Sequence, residues 1–459
     1  MKKHLLGVLA MALSLSSFAQ YWDVVEQATN LEASRGIQTI SVVDTAIVWA
    51  DAYDGSGGGA KVTDFIVTLD GGLNWAQSTL TDVPLGWEFS HFAGFSDAMA
   101  WATCFSASAG GAHVYRTLDG GLTWEEKNPY SAAAFANVVH FFNALEGMTM
   151  GDPVGGYYEI YTTADGGDTW ARVPQANIPA PLAGEYGLTR SIGSYGDTIW
   201  FGTQKSRIFR SVDKGMNWTV SDLSSIVPVT GIAGTLSEFA MESGMVGMCF
   251  IQGLDSVQRL VKTIDGGTTW TQVLSGTQKA GFMKWRSGLA HVPGSTPSRY
   301  FITGARTTFG DFGSLYSDDM GVTWVTVDSA VQHLGSAWAD SLHGWSGSFS
   351  QGPSTGGMFK WKDTTQVVSV YAPWTKGEVA GYPNPTHSVY TISMDQFVKG
   401  AIINLRLTDV TGKEVYGYEV PAFNGKFKHT IEMTNLNAGM YFLNLQVGNQ
   451  MITKKVMKN

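Results

Sequence analysis

Thr117-Leu118-Asp119-Gly120-Gly121-Leu122-Thr123-Trp124 is the stretch on which the fold turns, because its grammar, Ser/Thr-x-Asp-x-Gly-x-Asn/Thr-Trp, returns five more times. The other copies run from Thr68 to Trp75, Thr163 to Trp170, Ser211 to Trp218, Thr263 to Trp270 and Ser317 to Trp324. The chemistry is that of a tight turn: the Asp accepts from backbone N–H groups of its own turn, a Gly takes a positive φ, and the Trp leaves on the next strand. The aspartates Asp70, Asp119, Asp165, Asp213, Asp265 and Asp319 are 49, 46, 48, 52 and 54 residues apart. That period is the length of one propeller blade.

Each repeat reads as three short β runs, the box, and a fourth run that carries Trp75, Trp124, Trp170, Trp218, Trp270 or Trp324. In the third repeat the runs are Asn137 to Phe142, Gly147 to Gly151, Tyr157 to Thr163 and Thr169 to Val173. After the sixth box three more runs follow (Ser336 to Ala339, Gly344 to Ser348, Gly357 to Lys362) with no box behind them. Tyr21 to Val25 reads as the missing fourth strand. The expectation is an all-β chain: a seven-bladed β-propeller over residues 20–363, closed by an N-terminal strand that also removes two open sheet edges.

Residues 364–380 read as a linker, and 381–459 as a second domain of alternating strands with turns at Thr411-Gly412-Lys413 and Asn437-Ala438-Gly439, a small antiparallel β-sandwich. Met1 to Ala19 has two lysines, an apolar run from Leu5 to Leu15 and small residues at 17 and 19, the pattern of a secretory signal peptide. The apolar run is too short for a membrane span, and no later stretch is long enough. Net charge is −9 for the whole chain. From Glu378 onward eight basic residues face six acidic ones, so Gln20 to Gly377 carries −13 (20 basic, 33 acidic). That balance argues against nucleic acid as a partner. Cys104 and Cys249 fall on the same strand of the second and fifth blades, across the ring, so two buried free thiols are expected rather than a bridge.

The six boxes resemble the BNR or Asp-box repeat family of β-propellers, which includes sialidases, xyloglucan-degrading glycosidases, sortilin-type receptors and photosystem II assembly factor-like proteins. The resemblance implies a fold and leaves activity open. The tail resembles the type A C-terminal sorting domain of type IX secretion cargo in Bacteroidota. The matching residues are Tyr382-Pro383-Asn384-Pro385, Asp409 to Lys413 around Gly412, Leu436 to Phe442 around Gly439, and Lys454-Lys455-Val456. This resemblance implies partners in the type IX machinery and its sorting peptidase, passage through the periplasm, and release or attachment at the outer surface after removal of the tail.

The turn between third and fourth strands lies on the propeller face opposite the one that usually holds sites, so the boxes read as structural. Site residues are expected in the loops between second and third strands and in the links between blades. One group is Tyr53, Asp54, Arg306 and Asp311, from neighbouring blades, as ligand-binding residues; solvated Gly-rich loops are the alternative. A second group is Asp152 and Glu185 with Tyr186 and Arg190. Two carboxylates beside an Arg could act as general acid and base in glycoside cleavage, or as an ion pair that pins the Pro-rich link. His140 reads as a core histidine. Trp87, Trp285, Phe309 and Phe312 could stack on sugars or pack between blades.

No Arg-Ile-Pro precedes the first box, and Arg35 is the only Arg before Thr68, which speaks against a sialidase. Zinc spacing, a nucleophile elbow, a phosphate loop and a twelve-residue calcium loop are all missing from the sequence, so no metal and no cofactor is expected. The expectation is a monomeric binding or adhesion module with a glycan or protein ligand. The alternative is a glycoside hydrolase that uses Asp152 and Glu185.

Overall fold

The computed structural model describes residues 22–23, 27–106, 111–131, 134–226, 235–252, 258–275, 288–306, 311–329, 331–362, 379–395, 402–421, 426–447 and 450–459. The expected signal peptide, the segment 364–378, Trp285 and Phe309 lie outside the described residues. The chain divides into two compact units, Met1–Asp363 and Thr364–Asn459.

The first unit is a β-propeller. Five four-stranded sheets follow one another in the chain, and an eight-stranded sheet divides into two further sets of four. The strand pairing that joins the two sets is Gly36 with Phe349. The first strands of the successive sets are Arg35–Val42, Glu88–Gly94, Ala136–Phe141, Gly187–Tyr195, Thr235–Met241, Gly288–Val292 and Ser336–Trp338. Each touches the next, and the last touches the first. In the last set the fourth strand comes from the other end of the chain: Gln27 pairs with Met358, Ala28 with Gly357, and Trp22 bridges Trp361. Trp22 is buried in an aromatic cluster with Phe301, Trp338 and Trp361, and its Nε1 donates to Ser314 Oγ at 2.8 Å.

Each box is a closed hydrogen-bond circuit. In the second blade the Thr117 hydroxyl donates to Asp119 Oδ1 at 2.9 Å and accepts from Gly121 N at 2.9 Å. Thr123 donates to the two oxygens of Asp119 from its backbone N at 2.9 Å and its hydroxyl at 2.6 Å. The same circuit recurs around Asp70, Asp165, Asp213, Asp265 and Asp319. Two successive residues are left-handed, such as Gly120 (φ 76) and Gly121 (φ 85). The first position also accepts Lys214 and Met320. The second is always Gly, because it faces the preceding blade: a Cβ on Gly167 would stand 2.2 Å from the Trp101 ring.

Cys104 and Cys249 are both free and buried, in second strands of the second and fifth blades. The second unit holds a three-stranded and a four-stranded antiparallel sheet. Tyr390, Ile392 and Ile431 from one sheet share a core with Leu405, Leu443 and Val456 from the other. Its first strand, Val379–Tyr382, begins inside the stretch read from sequence as linker and turn. Asn384 ties the Pro383-Asn384-Pro385 turn to the last strand, with Nδ2 donating to Lys455 O and Oδ1 accepting from Met457 N, both at 2.8 Å. Gly412 (φ 84) completes a turn in which Asp409 Oδ1 accepts from the Thr411 and Lys413 N–H groups. Gly439 opens the strand Gly439–Val447, and Lys454 and Lys455 sit on the last strand, Gln450–Lys458.

Hydrogen bonds from the seventh box residue hold Asp70, Asp119, Asp165 and Asp265 down to about 2. A carboxyl depressed in the fold contributes stability above its ordinary range and loses it as pH falls toward its folded value. Melting followed by circular dichroism should therefore drop between about pH 4 and pH 2, and Asp119→Asn should lower the melting temperature at neutral pH and weaken that acid drop. A flat response in both contradicts the structural role of the box.

Candidate binding site in the propeller channel

The first strand of the fourth blade, Gly187–Tyr195, loses register with its neighbour between Gly187 and Ile192. Within that break Arg190 is left-handed (φ 61), a conformation that costs a non-glycine residue on the order of 1 kcal/mol or more. The break sends the Arg190 side chain across the ring. Its guanidinium donates to Asp51 Oδ2 at 3.0 Å, Thr39 Oγ1 at 3.1 Å and Phe89 O at 3.3 Å, which belong to the first and second blades. Asp51 is buried, and its other oxygen accepts from Thr39 N at 3.1 Å. Tyr53 lies on the same strand as Asp51, Val48–Asp54. Burial pushes its hydroxyl up, and the Arg190 charge partly offsets this.

Around this ion pair the first strands enclose a cavity of about 400 Å³ that includes Thr39, His91, Arg190, Ser194, Glu238 and His291. An adjoining cavity of about 440 Å³ shares Thr39, His91 and Ser194 and adds His140. Burial holds the imidazoles of His91 and His140 down to about 4, and lowers that of His291. The three rings are therefore neutral near pH 7. Burial has the opposite effect on Glu238, whose carboxyl is pushed up to about 8 although Arg190 opposes the shift. Arg190 and Asp51 cancel each other, which leaves Glu238 as the ionisable group of the cavity with no hydrogen-bond or ion-pair partner among the described residues.

The residues expected from sequence fall in several places. Arg190 and Tyr53, read as members of separate groups, lie near each other: Arg190 bonds to Asp51 on the Tyr53 strand, and its charge acts on the Tyr53 hydroxyl. Asp54 caps its own Gly-rich loop, accepting from Ser56 N at 3.0 Å and Ala60 N at 2.8 Å. Tyr186 is exposed, with its backbone paired to Gln204. Arg306 and Asp311 are paired across neighbouring strands, and their side chains lie outside the described residues. Trp87 is buried against His113, with ring centroids 4.4 Å apart, so it packs within the blade.

Glu185 is fully engaged: Oε2 accepts from Arg207 at 2.6 Å and Leu182 N at 2.8 Å, and Oε1 from Thr203 at 2.7 Å. Its ion-pair partner is Arg207 and not the expected Arg190, which pairs with Asp51. Asp152 Oδ1 accepts from Asn137 Nδ2 at 2.8 Å and Gly187 N at 3.1 Å, and burial pushes its carboxyl up to about 6. Sequence reasoning missed Glu238, His91 and the part played by Asp51. The available signal was a charged or titratable residue inside a strand-like run, as in Trp49-Ala50-Asp51-Ala52 or Ser90-His91-Phe92.

Residues 380–459 match the profile of the secretion system C-terminal sorting domain. The second unit thus directs the chain to the type IX machinery, and the protein is secreted or attached at the cell surface. Among the described residues no helix is long and apolar enough to cross a membrane. No curated protein matches the chain. Among solved structures, YCF48 from Cyanidioschyzon merolae is similar over 74% of this chain and 99% of its own, with 16% identity and a TM-score of 0.48. A xyloglucanase from Xanthomonas campestris is similar over 94% of this chain and 70% of its own (12% identity, TM-score 0.30). For a Trypanosoma rangeli sialidase the shares are 94% and 87% (10% identity, TM-score 0.40).

Replacing Glu185 by Gln leaves the Arg207 guanidinium buried without its counter-charge. Glu185→Gln should lower the unfolding free energy by about 3 to 5 kcal/mol in chemical denaturation. A loss below about 1 kcal/mol, the scale of an exposed pair, contradicts the pinning role.

Proposed function

We propose that the propeller is the ligand-binding module of an exported protein, that its ligand is a glycan or a surface protein, and that the sorting peptidase removes the tail on arrival. The observation that carries this reading is Arg190. Strained backbone is kept where the surrounding structure over-determines it, and such residues cluster at ligand sites. Here the strain places a cation at the propeller axis, beside a cavity of about 400 Å³ lined by polar groups from several blades. A volume of that size is typical of small-ligand sites. The channel and the loops around Tyr53 and Tyr186 form the proposed contact surface.

A second reading, glycoside hydrolysis by Asp152 and Glu185, is favoured by one observation. A carboxyl raised to about 6 suits a general acid. Against it stands the commitment of Glu185 to Arg207, Thr203 and Leu182. Retention of purified protein on a glycan and surface-protein array, with no hydrolysis of a polysaccharide panel, is the expected result. Turnover that Asp152→Asn abolishes overturns the binding reading. Deleting Glu378 to Asn459 should trap the protein in the periplasm, and normal surface display of that truncation contradicts the export route.

A further inference from the structure

The charge pattern of the channel discriminates between ligand classes. Arg190 is already neutralised by Asp51 at 3.0 Å. An anionic ligand would have to displace Asp51 and would face Glu238 as well. Glu238 stands on Thr235–Met241, immediately after the register shift between Leu236 and Glu238, and is only partly buried. The titratable groups around it are Arg190 from the fourth blade, the buried Cys249 thiol from its own blade, and the neutral His291 and His91 that line the same cavity. None of these neutralises it. The lining is mostly polar, with apolar contacts from Ile40, Ile192 and Leu289.

A desolvated carboxyl beside neutral rings and without an ion-pair partner is costly when ionised. A cation that carries N–H donors on an apolar stem removes that cost. It supplies the missing charge and hydrogen bonds and lays its methylene groups on the walls. We propose that the propeller channel binds a primary alkylammonium group, with the ammonium on Glu238 and the stem along Ile40, Ile192 and Leu289. This inference rests on the reading of the propeller as a binding module, and the two can fail separately.

The raised carboxyl adds a signature that a structural role does not produce. Glu238 is mostly protonated near pH 7, since burial holds it up to about 8. Pairing with an ammonium favours the carboxylate, so binding releases a proton and tightens as pH rises from about 6 to 9.

Isothermal titration of the full chain tests this with putrescine, Nα-acetyl-lysine amide and, as an uncharged isostere, 1,4-butanediol. The result expected is binding of putrescine, absence of binding by butanediol, and a loss of about 30-fold or more in Glu238→Gln, with proton release measured in buffers of different ionisation enthalpy. Binding of putrescine alone points to a free polyamine, and binding of the lysine amide as well points to the alkylammonium end group of either source. Failure of both amines to bind, or equal binding by wild type and a Glu238→Gln protein that melts normally, overturns the proposal. Array binding of a glycan or surface protein that Glu238→Gln leaves unchanged overturns this inference and leaves the binding reading standing.

Discussion

The contact between one blade's second strand and the next blade's box is the constraint on which the ring depends. Trp49, Trp101, Trp200 and Trp345 are completely buried, and each lies against the second box glycine of the following blade: Gly121, Gly167, Gly267 and Gly72. Met148 and Met248 take the same place against Gly215 and Gly321. Burying an aromatic side chain of this size is worth about 4 to 6 kcal/mol at most, by area. The glycine has a left-handed φ at every box, and at Gly121 and Gly167 a neighbouring ring also stands where its Cβ would be. The Asp circuit holds the turn in the shape that offers this notch, so the box is a joint between blades.

Fixing the outer corners in this way leaves the first strands free to depart from ideal pairing. Register shifts fall between Ile37 and Ile40, Phe89 and His91, Ala136 and Val138, Gly187 and Ile192, and Leu236 and Glu238. A bulge re-aims the side chains beside it. Here bulges bring His91, Arg190 and Glu238 to the lining of one channel, where loss of solvent lowers the His91 imidazole and raises the Glu238 carboxyl. The energetic weight of the molecule lies at the blade joints, and its titratable channel groups lie on the axis.

Much of the scaffold was legible because it is periodic. The box spacing implied the strand order within each blade, and the unmatched runs implied a closing strand at Tyr21 to Val25, whereas the paired strand is Gln27–Ala28, with Trp22 in an isolated bridge to Trp361. The candidate site was less legible because its contacts are not local. Arg190 and Asp51 are 139 residues apart, and nothing in the one-dimensional pattern shows that a left-handed residue will carry a side chain across the ring. Glu185 and Arg207 are closer in sequence, 22 residues apart, yet a carboxylate that pins a link and one that serves catalysis look alike until their partners are seen. Val379–Tyr382 was missed for another reason: the Gly and Pro residues around it signal a turn, and they terminate a strand that the partner Val389–Asp395 stabilises.

The claim that carries the rest is that the box glycines are joints of the ring. Differential scanning calorimetry of Gly167→Ala tests it most directly, since the added Cβ meets a fully buried Trp101 that cannot move aside without disturbing its stack on Phe141. The whole propeller should melt several degrees lower, from overpacking and left-handed strain of a few kcal/mol. An unchanged melting temperature would contradict it.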